Sequence, residues 1–482
     1  MFLYLSREQY EYDLRGLLMS FFPGAEIEKV KEPLSHDLGE PAFSVVFAEK
    51  DGEETVILYT EEGRNYEERL PSAFLNAQEE KTVFKQAVYR VLSEATRKTL
   101  PWGTLSGIRP VKIPMKMMEE GAESAAIRAH MEDTLYVSPE KTALAMDIAV
   151  RERKILSTAS ENGYSLYLGV PFCPSICLYC SFSSYPLSRY QKQTDAYVDA
   201  VIKELQFLSE AFRTRPLDSI YFGGGTPTTL TPAQLDRILS FITEHFDLGT
   251  LKEWTVEAGR PDSLDTEKLK TLHTYPVSRI SVNPQTMQQK TLDLIGRRHT
   301  VEDVERAFSL AREAGFTDIN MDLIAGLPGE TPEDVRDSLE KVLDLGPENV
   351  TVHSLAIKRA SRLRLNMEQY RAYQMENSDA VMESVQKRLE KAGLYPYYLY
   401  RQKNMAGNQE NVGYARPGKE GLYNILIMEE VQDIAAVGAG AVSKQVKDGR
   451  ITRSDNIKDV LLYLEGVDEM IERKKELFGT GN

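Results

Sequence analysis

The chain has 482 residues, of which 42% are hydrophobic and 27% are charged, and its formal net charge is −15. This is the composition of a globular protein with a large core, so general disorder is excluded. The acidic balance disfavours broad binding to nucleic acid, because phosphate backbones are repelled. We find no apolar run near the ~18 residues that a membrane span needs, and the opening residues lack a basic leader, so we expect a cytoplasmic protein.

Residues 1–155 are predicted to form an accessory α+β domain. Two strand-like runs, 42–48 and 54–59, are separated by Asp51-Gly52, a dipeptide that is typical of hairpin turns. Helical periodicity flanks these strands on the C-terminal side. The two helical patterns are 79–97 and 138–156.

From about residue 160 to residue 360, a strand, a loop and a helix alternate six times. Such a repeat requires a parallel sheet, either doubly wound or an incomplete barrel. Unusual polar residues follow successive strands, and side chains from many strand ends converge at the carboxyl end of a barrel. The predicted fold class is therefore α/β, with a partial (β/α)6 barrel over 160–360. The predicted strands are 165–170, 219–222, 253–257, 279–283, 318–324 and 350–355, and the helices between them include 190–212, 232–245, 301–314 and 332–345.

Residues 361–482 are predicted to form a C-terminal region that acts as a lid over the barrel mouth. This segment opens with a predicted long helix, 367–392, and closes with another, 457–477. A glycine patch at 438–441 lies between them. Three units agree with the usual size of about 150 residues per domain.

All three cysteines of the chain, Cys173, Cys177 and Cys180, follow the first predicted barrel strand within one short loop. An odd number of cysteines argues against a disulfide framework. A structural zinc site needs a fourth Cys or His ligand, and the loop itself has no histidine, although the distant His299 or His353 stays open as a ligand. A [4Fe–4S] cluster with three protein thiolates leaves one iron open to a small ligand. The spacing favours the cluster over zinc.

Cys-x3-Cys-x2-Cys after a first barrel strand resembles the signature of the radical S-adenosylmethionine (SAM) enzymes. Four motifs occur in an order that is similar to the oxygen-independent coproporphyrinogen III oxidase family, over about residues 160–480. They are Tyr167–Cys173 (YLGVPFC), Tyr221–Thr228 (YFGGGTPT), Gly296–Thr300 (GRRHT) and Asp322–Gly329 (DLIAGLPG). The long N-terminal domain resembles the HemZ-type branch of this family.

The resemblance implies a radical SAM fold and two kinds of cofactor. Cys173, Cys177 and Cys180 would hold a [4Fe–4S] cluster, whose electron cleaves SAM to methionine and a 5′-deoxyadenosyl radical. One or two SAM molecules are implied. The residues implied for cluster-bound SAM are Tyr167, Gly224 and Glu257. Those that surround a second SAM in the family are matched by Tyr179, Gly225, Thr226, Gln285, Arg297, Asp322 and Ala356.

The residue types at these positions suit their implied roles. Gly224 and Gly225 lack a Cβ atom, so backbone amides can approach a ligand closely. The carboxylates of Glu257 and Asp322 can accept hydrogen bonds from the SAM ammonium or ribose hydroxyls. The guanidinium of Arg297 offers a fork that suits a carboxylate.

The resemblance implies oxidative decarboxylation of coproporphyrinogen III to protoporphyrinogen IX in haem synthesis. Its partners would be the anionic porphyrinogen and a reduced electron donor of the flavodoxin or ferredoxin type. Cations that follow the sixth predicted strand are candidates for contacts with substrate carboxylates. They are Lys358, Arg359, Arg362 and Arg364.

Two departures from the oxidase pattern keep another function open, that of a haem chaperone of the same family. The oxidases have a further cysteine where this chain has Phe182, and the chaperones share such a phenylalanine. The chaperones, however, carry a late His-Asn-x-x-Tyr-Trp motif, and the corresponding stretch here is Tyr423–Met428 (YNILIM). A radical enzyme with an unrelated substrate is a third alternative.

Overall fold

The computed structural model describes residues 1–479 except 6, 24, 32–42, 51–52, 61–64, 72, 183, 376 and 403–404. The chain divides into two compact units. The first comprises Met1–Ala149 and Tyr400–Glu410, and the second comprises Val150–Leu399 and the residues from Asn411 onward. In the part of the chain that the structure describes, no helix is both long and apolar enough to cross a membrane.

The first unit contains a sheet with the strand order β2-β1-β3-β4-β5. Its strands are β1 (Phe2–Leu5), β2 (Glu28–Lys29), β3 (Phe43–Lys50), β4 (Glu53–Thr60) and β5 (Asn65–Arg69). Its helices are α1 (Glu11–Phe21), α2 (Ala77–Thr96), α3 (Lys112–Glu119), α4 (Ser124–Ala129), a π-helical turn (His130–Thr134) and α5 (Pro139–Leu156), which runs on into the second unit. The core is apolar and includes Leu14, Leu18, Phe84 and Leu92.

The predicted elements of the first unit are confirmed. β3 and β4 pair as antiparallel strands that contain residues 43–48 and 54–59 of the two predicted strands, and residue 42 lies outside the described residues. The bounds of α2 and α5 lie within two residues of the predicted helices. The predicted turn Asp51-Gly52 lies outside the described residues.

The second unit is built on a central sheet of eleven described strands in the order β14-β15-β13-β12-β11-β10-β9-β6-β16-β17-β18. These strands are β6 (Tyr164–Val170), β9 (Leu217–Gly224), β10 (Glu253–Glu257), β11 (Arg279–Ser281), β12 (Ile319–Ala325), β13 (Asn349–Ser354), β14 (Tyr395–Tyr400), β15 (Asn411–Ala415), β16 (Asp433–Val437), β17 (Val442–Lys447) and β18 (Arg450–Asp455). Two short strands, β7 (Phe172–Cys173) and β8 (Tyr185–Pro186), pair with each other. From β6 to β13 the sheet strands are parallel and in chain order. The predicted α/β class with six parallel strands is confirmed, and all six carboxyl ends lie at one edge of the sheet.

Helices connect the parallel strands and follow them. They are α6 (Leu187–Tyr190), α7 (Thr194–Ala211), α8 (Pro232–His245), α9 (Thr266–Thr274), α10 (Gln289–Leu294), α11 (Val301–Glu313), α12 (Pro332–Leu345), α13 (Arg362–Leu365), α14 (Met367–Tyr370), α15 (Asp379–Lys391), α16 (Leu422–Glu429), α17 (Val460–Glu465) and α18 (Val467–Phe478). Short 3₁₀ turns occupy Glu8–Tyr10, Gln191–Gln193, Pro227–Thr229, Pro261–Ser263 and Ala406–Asn408. α8 and α12 have the predicted bounds.

Three of these helices, α8, α11 and α12, begin after a threonine that forms a capping box. Each threonine hydroxyl accepts a hydrogen bond from a backbone N–H three residues on, and the side chain there accepts from the N–H of the threonine. The threonines are Thr231, Thr300 and Thr331. This reciprocal bonding satisfies two donors at the start of a helix, which is why these starts are sharp.

Thr331→Ala should lower the free energy of unfolding by about 1 kcal/mol, because the backbone N–H of Asp334 loses its acceptor. Chemical denaturation followed by circular dichroism measures this change. Thr331→Ser retains the hydroxyl and is the matched control. Equal stability of the alanine and serine variants would contradict the assignment of the cap.

Two predicted long helices of the C-terminal region are wrong. The segment predicted as 367–392 contains α14 and α15 with non-helical residues between them. Asn377 there is buried and donates to Ser354 Oγ (2.8 Å), and Ser378 caps α15, so both side chains compete with a continuous helix. The closing helix is interrupted at Gly466, and its first half begins only after Asp459, whose carboxylate accepts from two backbone N–H groups.

The C-terminal region, predicted as a lid, also supplies strands to the central sheet. β15 pairs antiparallel with β13 at one side, and β16 pairs parallel with β6 at the other, from Asp433↔Tyr164 to Val437↔Leu168. Every residue of β16 is buried. The barrel strands and this region therefore share one sheet.

The starts of three barrel strands are tied together by a buried ion-pair network. The Arg279 guanidinium donates to Glu253 Oε2 (3.0 Å) and to Asp318 Oδ1 (3.1 Å). Arg279 begins β11, Glu253 begins β10, and Asp318 directly precedes β12. The network fixes the amino ends of the strands, at the edge opposite the polar residues discussed next.

Candidate functional site

The cysteine loop leaves β6 at the carboxyl edge of the sheet and is held by backbone bonds to two other segments. Leu178 N–H donates to Ile295 O (2.9 Å), and Leu363 N–H donates to Leu178 O (2.9 Å). Ser175 Oγ donates to Gly296 O (3.1 Å). The loop is therefore anchored to the residues that precede Arg297 and to α13.

Each cysteine sulfur has a polar side chain beside it. Thr226 Oγ1 donates to Cys173 Sγ (3.6 Å), and Arg260 Nη1 donates to Cys177 Sγ (3.3 Å). Cys180 Sγ lies 3.7 Å from the hydroxyl oxygen of Ser184. The three thiols are free of disulfides. Burial raises the pKa of Cys173 to about 11, so metal binding at this loop must displace protons.

The donor set of three thiols in one loop suits a [4Fe–4S] cluster that keeps one iron open. In the described residues, no group of three or more Cys, His, Asp or Glu side chains that could hold a metal ion was found. Zinc draws its ligands around one point, whereas the thiolates of a cubane cluster bind different irons. His299 and His353, the distant residues left open by the sequence, lie beside Asp262 (4.0 Å) and Asp322 (3.7 Å). Neither completes a zinc site with the cysteines.

The glycine motif after β9 forms a cradle next to the first cysteine. Gly224 has a positive φ of 107°, and Gly225 N–H donates to Val170 O (2.6 Å). A Cβ atom on Gly225 would lie 2.7 Å from Phe172 O and 3.0 Å from Cys173 Sγ. The absent side chain therefore leaves the space beside Cys173 open.

Gly225→Ala should weaken cluster retention, because overpacking by one carbon costs about 1–3 kcal/mol, or roughly 5- to 150-fold. Iron loss to a chelator, measured without oxygen, reports this change. Gly107→Ala is the control, since a Cβ atom there meets nothing within 4 Å. Wild-type retention in the Gly225 variant would show that the cradle does not serve the cluster.

Glu257 ends β10 and lies in a half-buried, hydrogen-bonded position. Tyr221 Oη donates to Glu257 Oε1 (2.5 Å). Burial raises the pKa of Glu257 to about 7, and the Asp322 carboxylate adds to the rise. Hydrogen bonds from Tyr221 and from the Gly224 backbone oppose it. A cationic ligand would favour the charged form of this carboxyl and so oppose the rise in its pKa.

Three tyrosine rings stack beside Glu257. The ring centroids of Tyr221 and Tyr423 are 4.5 Å apart, and Tyr167 lies 6.2 Å from Tyr221 and 6.3 Å from Tyr423. Of these, only Tyr167 was predicted as a site residue. Tyr221 lies inside a quoted motif, and Tyr423 belongs to the stretch that replaces the chaperone motif. Their positions in these two motifs are the only sequence signals that could have indicated Tyr221 and Tyr423 as site residues.

Asp322 lies on β12 and Gln285 lies in the loop after β11, and the two are joined through the backbone. Gln285 has a positive φ of 70°, and its N–H donates to Asp322 O (2.9 Å). Asn320 Nδ2 donates to Asp322 Oδ1 (2.8 Å), and Asn283 Oδ1 accepts from the Asp322 N–H (3.2 Å). This arrangement points one carboxylate oxygen of Asp322 toward His353 (3.7 Å).

Arg297 is buried and most of its donors are engaged within the protein. Its Nη2 donates to Asn283 O (2.6 Å) and Gly259 O (3.0 Å), and its Nη1 donates to Tyr179 Oη (3.2 Å). The Nε atom is buried with no hydrogen-bond partner in the described residues. The guanidinium therefore holds Tyr179 and two loops in place, and its contact with a ligand carboxylate stays a prediction.

Arg260 was not predicted as a site residue. It lies three residues after Glu257, in the loop that follows β10, and its side chain reaches the cysteine loop. Ala356 lies two residues past the end of β13, at the same edge of the sheet. The structure thus brings the cysteine loop, the glycine cradle, Glu257, Asp322 and Arg297 to one edge.

A cavity of about 540 Å³ lies at the opposite edge, near the starts of β10, β11 and β12. Its lining includes Lys252, Arg279 and Lys419. Lys252 pairs with Asp218, and Arg279 belongs to the ion-pair network described above. We regard this cavity as distinct from the candidate site, because the polar groups described above lie at the other end of the strands.

Comparisons with known proteins agree with this geometry. Residues 167–342 match the Radical SAM superfamily. The chain is 38% identical to the oxygen-independent coproporphyrinogen-III oxidase-like protein HemZ of Bacillus subtilis, over 91% of this chain and 92% of that protein. It is 34% identical to the heme chaperone HemW of Lactococcus lactis, over 58% of this chain and 68% of that protein.

A solved structure of coproporphyrinogen III oxidase (HemN) from Escherichia coli, described as a radical SAM enzyme, has the same fold. The TM-score is 0.51 at 24% identity, over 66% of this chain and 72% of that one. Proteins of this superfamily use a [4Fe–4S] cluster and SAM. The chain therefore belongs to the radical SAM superfamily and, within it, to the oxygen-independent coproporphyrinogen III oxidase family, in the branch of HemZ.

Proposed function

We propose that this protein catalyses the oxygen-independent oxidative decarboxylation of coproporphyrinogen III to protoporphyrinogen IX. In this reaction each of two propionate side chains would give a hydrogen atom to a 5′-deoxyadenosyl radical and one electron to a separate one-electron acceptor, would release carbon dioxide, and would become a vinyl group. The names of the HemZ and HemN relatives support this choice.

We assign Cys173, Cys177 and Cys180 as ligands of the cluster, which leaves one iron open for SAM. When bound, the cluster and SAM together supply a 5′-deoxyadenosyl radical. Three free cysteines suit a reducing compartment, so we propose a cytoplasmic protein. Its electrons would come from a reduced flavodoxin- or ferredoxin-type donor.

The other site residues have proposed roles in binding and orienting SAM. Glu257 accepts a hydrogen bond from the SAM ammonium or ribose, while Tyr221 fixes its carboxylate from behind. Tyr167 and Gly224 line the same place, since Gly224 N–H donates toward Glu257 and Tyr167 stacks beside it. We propose that one SAM molecule binds at these residues. We propose a second SAM position for the residues that match the second SAM site of the family, which are Tyr179, Gly225, Thr226, Gln285, Arg297, Asp322 and Ala356.

The proposed substrate contacts are the cations after β13. Residues 356–366 contain four cations and no acidic residue, in a chain whose net charge is −15. Phe182 is 73% exposed, and the Lys358 ammonium lies 5.8 Å from the centre of its ring. Leu365 is also exposed. Apolar and cationic groups together suit a macrocycle that carries four carboxylates. The four cations are Lys358, Arg359, Arg362 and Arg364.

The alternative is a haem chaperone that keeps the cluster and catalyses no decarboxylation. The likeness to HemW and the presence of Phe182 favour it. The observation that carries our choice is Tyr423, which stands where the chaperones have histidine. It is buried and stacked on Tyr221, so it serves the Glu257 site and offers no haem ligand at the surface.

Anaerobic turnover with coproporphyrinogen III, SAM and a reductant tests the proposal. We expect a vinyl product and one 5′-deoxyadenosine for each propionate converted. Cys177→Ala is the negative control. Stoichiometric haem binding without any vinyl product would establish the chaperone instead, and cleavage of SAM without either outcome would point to an unrelated substrate.

A further inference from the structure

The Arg260 side chain is buried and its five N–H donors are all engaged. Nε donates to Asp262 Oδ1 (2.8 Å), and Nη2 donates to Asp262 Oδ2 (2.7 Å) and Ser175 Oγ (3.0 Å). Nη1 donates to Ser175 O (3.3 Å) and Cys177 Sγ (3.3 Å). The bidentate pair with Asp262 fixes the plane of the guanidinium, so its position relative to Cys177 is defined.

Arg260 and Asp262 belong to the loop after β10, whereas Ser175 and Cys177 belong to the cysteine loop. The guanidinium therefore connects the two loops, and it does so through its hydrogen bond to Cys177 Sγ. Its side chain is only 5% exposed. Water therefore screens its charge weakly, and the charge acts on the sulfur at short range.

We propose that Arg260 is a positioning residue that raises the reduction potential of the cluster through its hydrogen bond and charge on Cys177 Sγ. Hydrogen bonds to the sulfurs, net charge and burial set the potentials of iron–sulfur clusters. A cation beside a thiolate ligand stabilises the reduced cluster, which carries one more negative charge. The proposal rests on the cluster ligands assigned above. It concerns the ease of the one-electron reduction, not the substrate.

The test compares Arg260→Met, Arg260→Lys and wild type after anaerobic reconstitution with verified iron and sulfide. A redox titration followed by electron paramagnetic resonance gives the potential. In Arg260→Met we expect the equilibrium constant for reduction to fall about tenfold, or ~59 mV for one electron. Arg260→Lys keeps the positive charge but lacks the planar guanidinium. Its reduction potential should therefore lie between those of wild type and Arg260→Met. Arg213→Met, which removes an exposed arginine after α7, should match wild type.

A wild-type potential in Arg260→Met with a full cluster would overturn the proposal. If that variant binds no cluster, Arg260→Gln decides the matter, because its amide can still donate a hydrogen bond but carries no charge. Arg260→Gln should lower the potential in the same direction by a smaller amount, and an unchanged value would overturn the proposal. The redox titration does not depend on the proposed function. That function would be contradicted by wild-type protein that holds its cluster but yields no vinyl product.

Discussion

Cys177→Ala is expected to abolish the [4Fe–4S] cluster. The chain has three cysteines in total, so no other thiol can replace the lost ligand. Cys177 is also the sulfur that receives the Arg260 guanidinium, and its loss leaves a buried cation without that acceptor. Iron and sulfide analysis, together with the visible absorbance of protein reconstituted without oxygen, measures the effect. We expect iron near the background level.

The control is Ser309→Ala, which changes an exposed hydroxyl on α11 and should keep a full cluster. Two results would contradict the assignment. One is an unchanged iron content in Cys177→Ala. The other is stoichiometric zinc, with no iron, in wild-type protein purified without oxygen.

Glu257→Gln is expected to weaken SAM binding by about ten- to a hundredfold. The change removes a charge-assisted hydrogen bond worth roughly 1.5–3 kcal/mol, and 1.4 kcal/mol corresponds to one decade. Glutamine keeps an oxygen for the hydroxyl of Tyr221, so the shape of the site should be preserved. The cluster should survive, because this carboxylate lies at the end of β10 and is not a cysteine ligand. Equilibrium binding of SAM, with iron content verified, gives the affinity.

The pH dependence of SAM binding provides a second test of Glu257. The pKa of its carboxyl is raised to about 7 by burial, and the ionised form is the better acceptor. In wild type the affinity should therefore fall as the pH decreases through 7. In Glu257→Gln that dependence should be absent, whereas the exposed Glu244→Gln should behave like wild type. Wild-type affinity in Glu257→Gln would mean that the carboxylate does not face SAM.

The parallel strands were predictable because each combines a short apolar run with a following helix of clear period. The start of α12 was predictable for a local reason, since Thr331 and Pro332 form a sequence-level capping signal. The break between α14 and α15 was not predictable from the sequence. Asn377 acts there through a hydrogen bond to Ser354, a residue that is distant in sequence, and helical periodicity carries no information about such a partner.

The cysteines were predictable because their spacing is a local property of one loop. The contact of Arg260 with Cys177 was not predictable, because the five atoms that accept its hydrogen bonds belong to two loops that meet only in the folded sheet. Tyr423 escaped prediction for the same reason. It lies in a mostly apolar helical segment that indicates a core helix, while its stacking partners lie on β6 and β9.

The pairing of β16 with β6 sets an order of events during synthesis. β6 leads into the cysteine loop, and it can pair with β9 soon after both have left the ribosome. Its other side stays an open edge until Asp433–Val437 emerge, on the order of tens of seconds later at about 5–20 residues per second. Tyr197 Oη donates to Gly169 O (2.7 Å) in β6 and accepts from Ala439 N–H (2.8 Å), so this late segment also completes the bonding behind the loop. We therefore expect iron and sulfide to be inserted after translation rather than into the nascent chain.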